Sequence, residues 1–180
     1  MSYQLINTAS WPLTPDVLLE LLQAMDIPYT HHHHPAFFTA AEGTEFEAGV
    51  PGAHGRNLFL RDQKKTRYFL VTARNETAID LKKLAGALDA GKLSFASADD
   101  LWNMLGVRPG SVCPYAIIND RNKRVILVLE AAMMQVDGPL NFHPLVNTQT
   151  IGVDPDDMLK LLTRCDIRPL CLDMQGLAPG

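Results

Sequence analysis

Apolar positions along the chain fall into blocks of two periodicities. In "TPDVLLELLQAMDIP", residues 14 to 28, Val17, Leu18, Leu21, Leu22 and Met25 recur at helical spacing. Thr14 is suited to cap that helix, Pro15 to fill its first turn and Pro28 to end it. "YTHHHHP" reads as a short strand and "TAAEGTEFEAG" as a short helix. "RNLFLRD" and "TRYFLVTA" are strands joined by the charged turn "QKK", a hairpin. "AIDLKKLAGALDAG" predicts a helix with Leu81, Leu84 and Leu88 on one side and Gly91 as its stop.

A capping box, Ser97 to Asp100, opens the helix "DLWNMLG", which Gly106 closes. "VRPGSVCPYAIIND" reads as a punctuated loop leading into a strand, and "RNKRVILVLEAA" as the most apolar, central strand. "LNFHPLVNTQTIGV" supplies short strand pieces. Asp154 and Pro155 start a last helix, and "RPLCLDM" is a final strand. No repeat or linker interrupts residues 1–180, so one domain is expected. Strands and helices mix without strict alternation. The expected fold is therefore α+β, with a mixed, largely antiparallel sheet flanked by helices.

Composition adds exclusions. The chain has 180 residues, 47% of them hydrophobic and 20% charged, which is ordinary for a globular domain. No apolar run approaches the ~20 residues of a membrane span, and the first residues lack a signal-peptide pattern. Cys113, Cys165 and Cys171 are widely spaced and form no C-x-x-C pair. That argues for a reducing, cytoplasmic setting and against a zinc site. With a net charge of −4, a large duplex footprint is not expected. Positive charge is local, in "RDQKKTR", "LKK" and "DRNKR", and leaves contact with a nucleic-acid end open.

Candidate chemistry is sparse. The histidines at 31 to 34 alternate across a strand and cannot converge on one metal; His34, before Pro35, is the one expected to face inward. No G-x-S-x-G, H-E-x-x-H or P-loop occurs. Three segments stand out. In "GAHGRNLFLRD", glycines bracket His54, and Arg56 and Asn57 stand at the mouth of a strand that continues with Leu58. "LGVRPGSV" carries Gly106, Pro109, Gly110 and Ser111, a stiff loop whose amides could approach a ligand. "NFHPL" fixes His143 between an aromatic residue and a proline.

Taken in order, "HP" at 34 to 35, "PGAHGRNLFLRD", "TAIDLKKL", "GKLSFAS", "LGVRPGSV", "AIINDRNKRVILVLE" and "NFHPL" resemble one family over roughly the whole chain. It is that of the free-standing prolyl-tRNA-synthetase-associated editing domains, the ProXp-ala (PrdX) branch of the YbaK-like superfamily. The resemblance implies hydrolysis of the ester joining a wrong amino acid, here alanine, to the acceptor end of proline tRNA. It implies neither metal nor cofactor, and it makes prolyl-tRNA synthetase a possible partner. Editing has a physical rationale, because a synthetase pocket discriminates against a smaller side chain by only ~1–3 kcal/mol.

The family pattern has Lys-Asn where this chain has Arg56-Asn57. Arginine keeps its proton, so Arg56 cannot serve as a base, but it can serve as a fixed cation. The resemblance thus casts Arg56 as an anchor for the terminal adenosine or the developing oxyanion, and Asn57 as orienting ester or water. His34, His54, Leu58 and His143 would line the pocket, and Gly106, Pro109, Gly110 and Ser111 would contact the amino-acid moiety through backbone. Alternatives are the same fold acting on Cys-, Ser- or Thr-charged tRNA, a binding module without catalysis, and, more remotely, a small-molecule hydrolase using His143 with Cys113. Hydrophobic sheet and helix surfaces could support a homodimer, but no seam specifies one.

Overall fold

A computed structural model describes residues 11–37 and 40–179. The first ten residues, read above as lacking a signal-peptide pattern, and Thr39, at the expected start of a helix, lie outside the described residues. No helix among the described residues is long and apolar enough to cross a membrane.

Local signals place the helices. In α1 (Pro15–Ala24) the Thr14 hydroxyl accepts from the Val17 amide at 3.4 Å, and Leu18, Leu21 and Leu22 are fully buried. Each such leucine contributes about 1.5–3 kcal/mol of burial. α2 (Ala40–Ala48) follows β1 (Thr30–His33). α3 (Leu81–Ala87) is capped by Asp80 and ends before Gly91, which instead supplies a positive φ (67°) to the turn into β4 (Leu93–Phe95). α4 (Ala98–Leu105) has the expected capping box and ends at Gly106 (φ 63°). A Cβ at Gly106 would lie 2.4 Å from that of Pro12, so the site requires both the left-handed backbone and the missing side chain. α5 (Pro155–Arg164) buries Met158, Leu161 and Leu162.

The remaining strands are β2 (Ala53–Asp62), β3 (Tyr68–Arg74), β5 (Val125–Glu130), β6 (Leu140–Phe142), β7 (Gln149–Val153) and β8 (Leu170–Leu172). They form one mixed sheet in the order β1-β7-β6-β2-β3-β5-β8, with β4 also on β2. The β1–β7, β7–β6, β2–β3 and β2–β4 pairings are antiparallel; β6–β2, β3–β5 and β5–β8 are parallel. The segment before β5 is more ordered than a punctuated loop: Pro114–Asn119 is a buried 3-10 turn. Its Asn119 side chain accepts from the Leu13 amide at 2.8 Å and donates to the Leu105 carbonyl at 2.9 Å, tying the approach to α1 to the end of α4.

Strand alternation sorts the two faces. Phe59, Leu70, Leu127, Leu129, Ile151 and Val153 face a core completed by α1, α4 and α5, the first face. Leu60, Phe69, Val71, Ala73 and Val128 face a smaller core completed by Leu84 and Ala85 of α3, the second face. α2 covers the second face near β1, where Phe46 meets His32 and His34.

Candidate functional site

The β2 strand changes partners along one edge. Its Ala53 and His54 pair with β6, its Leu60 to Asp62 pair with β4, and the Phe59 carbonyl accepts from Ala96. Between them, residues 55–58 have no ladder partner on that edge among the described residues. The result is a window in the sheet, with the opposite edge of β2 fully paired to β3. Gly55 makes the window possible: a Cβ there would sit 2.5 Å from the Phe142 ring of β6.

Arg56 and Asn57 frame this window from opposite faces. Arg56 is exposed on the second face, where Nη2 donates to the Thr77 carbonyl. Asn57 lies on the first face, and its Oδ1 accepts from the Thr72 hydroxyl at 2.7 Å. Leu58, again on the second face, packs on the smaller core. The two polar residues do not converge through their side chains; they share a backbone edge.

Arg56 is held by a buried support. Thr77 donates its hydroxyl to Glu130 Oε1 at 2.8 Å. Glu130 is 3% exposed and also accepts from the Arg74 amide at 2.9 Å, from Nε at 3.3 Å and from Nη2 at 2.9 Å. Burial alone would raise the Glu130 pKa, but these donors outweigh it and hold the carboxyl below its ordinary range.

The second face gathers the imidazoles. His34 stacks on Phe37 with centroids 4.4 Å apart, touches Phe46 at 4.5 Å and lies 5.8 Å from His143. His34 Nε2 meets the Thr150 hydroxyl at 3.0 Å, and its Nδ1 meets the Pro35 carbonyl at 2.8 Å. His143 donates from Nδ1 to the Gln149 carbonyl, 2.8 Å away. Burial, and after it the neighbouring His34, keeps His143 below the usual imidazole range, against the opposing pull of the Gln149 carbonyl and Glu47. His54 donates from Nε2 to the Val50 carbonyl at 2.9 Å, and its Nδ1 faces Glu47 at 4.0 Å. Across β1, His31 and His33 occupy the first face, with centroids 4.4 Å apart, so the run of histidines divides between faces as expected.

The Gly106–Ser111 loop joins from elsewhere. Gly106 packs on Pro12 and Asn119 and not on any residue of the window. Pro109 and Gly110 form an exposed turn closed by a bond from the Ser111 amide to the Arg108 carbonyl, and Gly110 approaches Asn147, four residues beyond His143. Its tip is thus carried beside the loop that follows the imidazole. Cys113 is fully buried and its thiol is pushed up to about 11, which removes it as a nucleophile.

Two cavities bear on the choice of site. One of about 430 Å³ is lined by Pro35, Phe37 and Phe46, with Glu42 and Glu45 at its rim, next to the imidazoles. A better-enclosed one of about 500 Å³ lies at the start of β5, lined by Ile117, Ile126, Ile167 and Arg168. Its only thiol, Cys165, is raised to about 12 by burial. The second cavity is ringed by Asp120, Arg121, Lys123, Asp166 and Arg168 but shares no lining residue with the strand mouth at Arg56 or with the imidazoles, so the polar groups around the window define the better site. Sequence reading missed Glu47, Thr77 and Glu130. None of them carries a local signal, and only the fold brings Thr77 and Glu130 to Arg56 and Glu47 to His54.

Comparison with known proteins gives a consistent picture. Residues 34–161 match the model of the aminoacyl-tRNA editing domain. The prolyl-tRNA synthetase associated domain-containing protein 1 of Danio rerio is 33% identical over 156 residues, covering 86% of this chain and 84% of that protein. The prolyl-tRNA editing protein ProX of Acetoanaerobium sticklandii is 31% identical over 141 residues, 78% of this chain and 85% of that protein. A crystal structure of a candidate trans-editing enzyme for prolyl tRNA synthetase superposes with a TM-score of 0.63 at 16% identity, covering 91% of this chain and 99% of the other.

Proposed function

The chain belongs to the aminoacyl-tRNA editing domain family, and from that membership we propose that it is a free-standing deacylase of mischarged proline tRNA, with alanine as the amino acid removed. The observation that carries this reading is the window at residues 55–58. There the Arg56 cation is fixed at a strand mouth on the same sheet face as His34, His54 and His143.

Each part has a chemical task. The 3′-terminal adenosine ester enters at the window, and the aromatic cavity beside Phe37 and Phe46 is of a size to take a nucleoside. Arg56 neutralises negative charge as water adds to the ester carbon, a task for a fixed cation and not for a base. His143, held neutral by burial, presents Nε2 as an acceptor to the bound group. Asn57 acts from the opposite face, pinning β2 to β3 through Thr72 and so fixing the strand that carries Arg56. The Pro109–Ser111 turn borders the pocket through the His143–Asn147 loop. Contact is confined to an acceptor end, which suits a chain of net charge −4.

The test is release of labelled alanine from Ala-tRNA(Pro), with Ser-, Cys- and Pro-charged tRNA in parallel. Hydrolysis of the alanyl ester alone, lost about 100-fold or more in Arg56→Ala, is the expected result. Full activity in Arg56→Ala refutes the role given to the cation. The replacement of lysine by Arg56 favours a second reading, a tRNA-binding module without chemistry. Bound tRNA with no ester hydrolysed supports that reading instead.

A further inference from the structure

The proposed function leaves one charged group beside the imidazoles without a role. Glu47, on α2, accepts from the Asn75 side-chain Nδ2 at 2.9 Å on both oxygens. Asn75 belongs to the turn after β3, and two residues further on the carbonyl of Thr77 holds Arg56. One turn therefore contacts both an anion and a cation, Glu47 through Asn75 and Arg56 through Thr77.

The hydrogen bonds around Glu47 specify what it can receive. A carbonyl only accepts, so His54 must donate from Nε2 to Val50, which leaves Nδ1 of the neutral ring bare. That bare nitrogen faces the Glu47 carboxylate at 4.0 Å. Two acceptors so placed call for a donor between them. His143 is fixed in the same sense, since its bond to the Gln149 carbonyl leaves Nε2 as an acceptor, and the charge of Glu47 acts on that ring. The pocket is rich in acceptors beside one carboxylate, an arrangement complementary to a cation with several N–H groups.

We propose that Glu47 is a substrate-binding residue whose carboxylate, together with Nδ1 of His54, receives the α-ammonium of the aminoacyl ester. This rests on the proposed function for the identity of the ligand. An aminoacyl ester carries its ammonium one carbon from the ester carbonyl, so a cation and a developing oxyanion lie close together. Glu47 and Arg56 match them in sign and order. The site then selects for a free α-amino group as well as against a large side chain.

The experiment measures binding by calorimetry to the full chain. The probes are the hydrolysis-resistant amide 3′-alanylamino-adenosine and its lactyl counterpart, in which a hydroxyl replaces the ammonium. The protein is expected to bind the alanyl probe about 10- to 100-fold more tightly than the lactyl probe. Glu47→Gln, nearly isosteric, is expected to abolish that preference without changing lactyl affinity, and Glu47→Asp to restore part of it. A preference that survives Glu47→Gln overturns the proposal, as do equal binding of both probes and no binding of either. Equal losses on both probes would make Glu47 a structural partner of protonated His54, which also overturns it. The ratio is read without hydrolysis. Inactivity toward Ala-tRNA, or an inert Arg56→Ala substitution, would therefore defeat the proposed chemistry and leave this measurement standing.

Discussion

Glu130 tests whether the buried support beneath Arg56 matters. The Glu130→Ala substitution removes a carboxylate that is 3% exposed and satisfies the Arg74 amide, the Arg74 guanidinium and the Thr77 hydroxyl. Breaking a buried pair by removing one partner costs about 3–5 kcal/mol. Here the stranded cation has relief, because the Arg74 side chain is 29% exposed and Glu76 lies 3.4 Å from it. The expected loss is therefore near the lower end, about 3 kcal/mol. Glu130→Gln keeps an acceptor for one of the donors and is expected to cost about 1–2 kcal/mol. Urea denaturation at pH 7 measures both.

The pH dependence follows from the same contacts. Because donors hold the Glu130 carboxyl below its ordinary pKa, the unfolded chain takes up the proton first as pH falls. The stabilisation is complete above the unfolded value of about 4.3 and is lost as pH drops through the lower folded value. The gap between wild type and Glu130→Gln should be constant from pH 7 to 5 and shrink below about 4. Deacylation should fall in both variants at temperatures where they remain folded, because Thr77 no longer fixes the carbonyl that holds Arg56. An Ala variant within about 0.5 kcal/mol of wild type, or a gap independent of pH, would refute the reasoning.

Three further outcomes are expected. Asn119→Ala strands the Leu13 amide and the Leu105 carbonyl in the core and should cost about 2–4 kcal/mol in denaturation, with Asn119→Asp no better because Leu105 still lacks a donor. Gly55→Ala would force a Cβ to 2.5 Å from the Phe142 ring and 3.0 Å from the Ala73 carbonyl; a loss of about 1–3 kcal/mol is expected, partly recovered by adding Phe142→Leu. His143 should titrate below about 6.5 in an NMR series, and stability should decline as pH falls from there toward its folded value while staying level above it.

What the sequence disclosed, and what it withheld, divides along the range of the interactions. Thr14-Pro15, the Ser97–Asp100 capping box and Asp154-Pro155 are local signals, and the helices they open stand where those signals put them. "YAIIN" falls in the stretch read as a punctuated loop, and the sequence did not disclose that it is a buried turn. The bonds of Asn119 to residues 13 and 105 favour the turn, and no local pattern contains them. The same holds at the site. Polar residues at the mouth of β2 marked Arg56 and Asn57 as worth attention, but alternation separates their side chains, and only the shared strand edge relates them.

That edge is open because β6 and β4 meet β2 at different heights, a consequence of sheet order rather than of residues 52 to 62. Glu47 and Glu130 show the point from the other side. One sits near the C-terminal end of an acidic helix, the other at the end of an apolar strand. Their hydrogen-bond partners lie far along the chain: Glu47 bonds Asn75, 28 residues on, and Glu130 bonds Arg74, 56 residues back, through the parallel β3–β5 pairing, while His54, which Glu47 faces, is near in sequence. The cation at the window was visible in sequence because its own strand presents it. The anions that fix it and complement it belong to other elements, so the charge pattern of the pocket is a property of the fold.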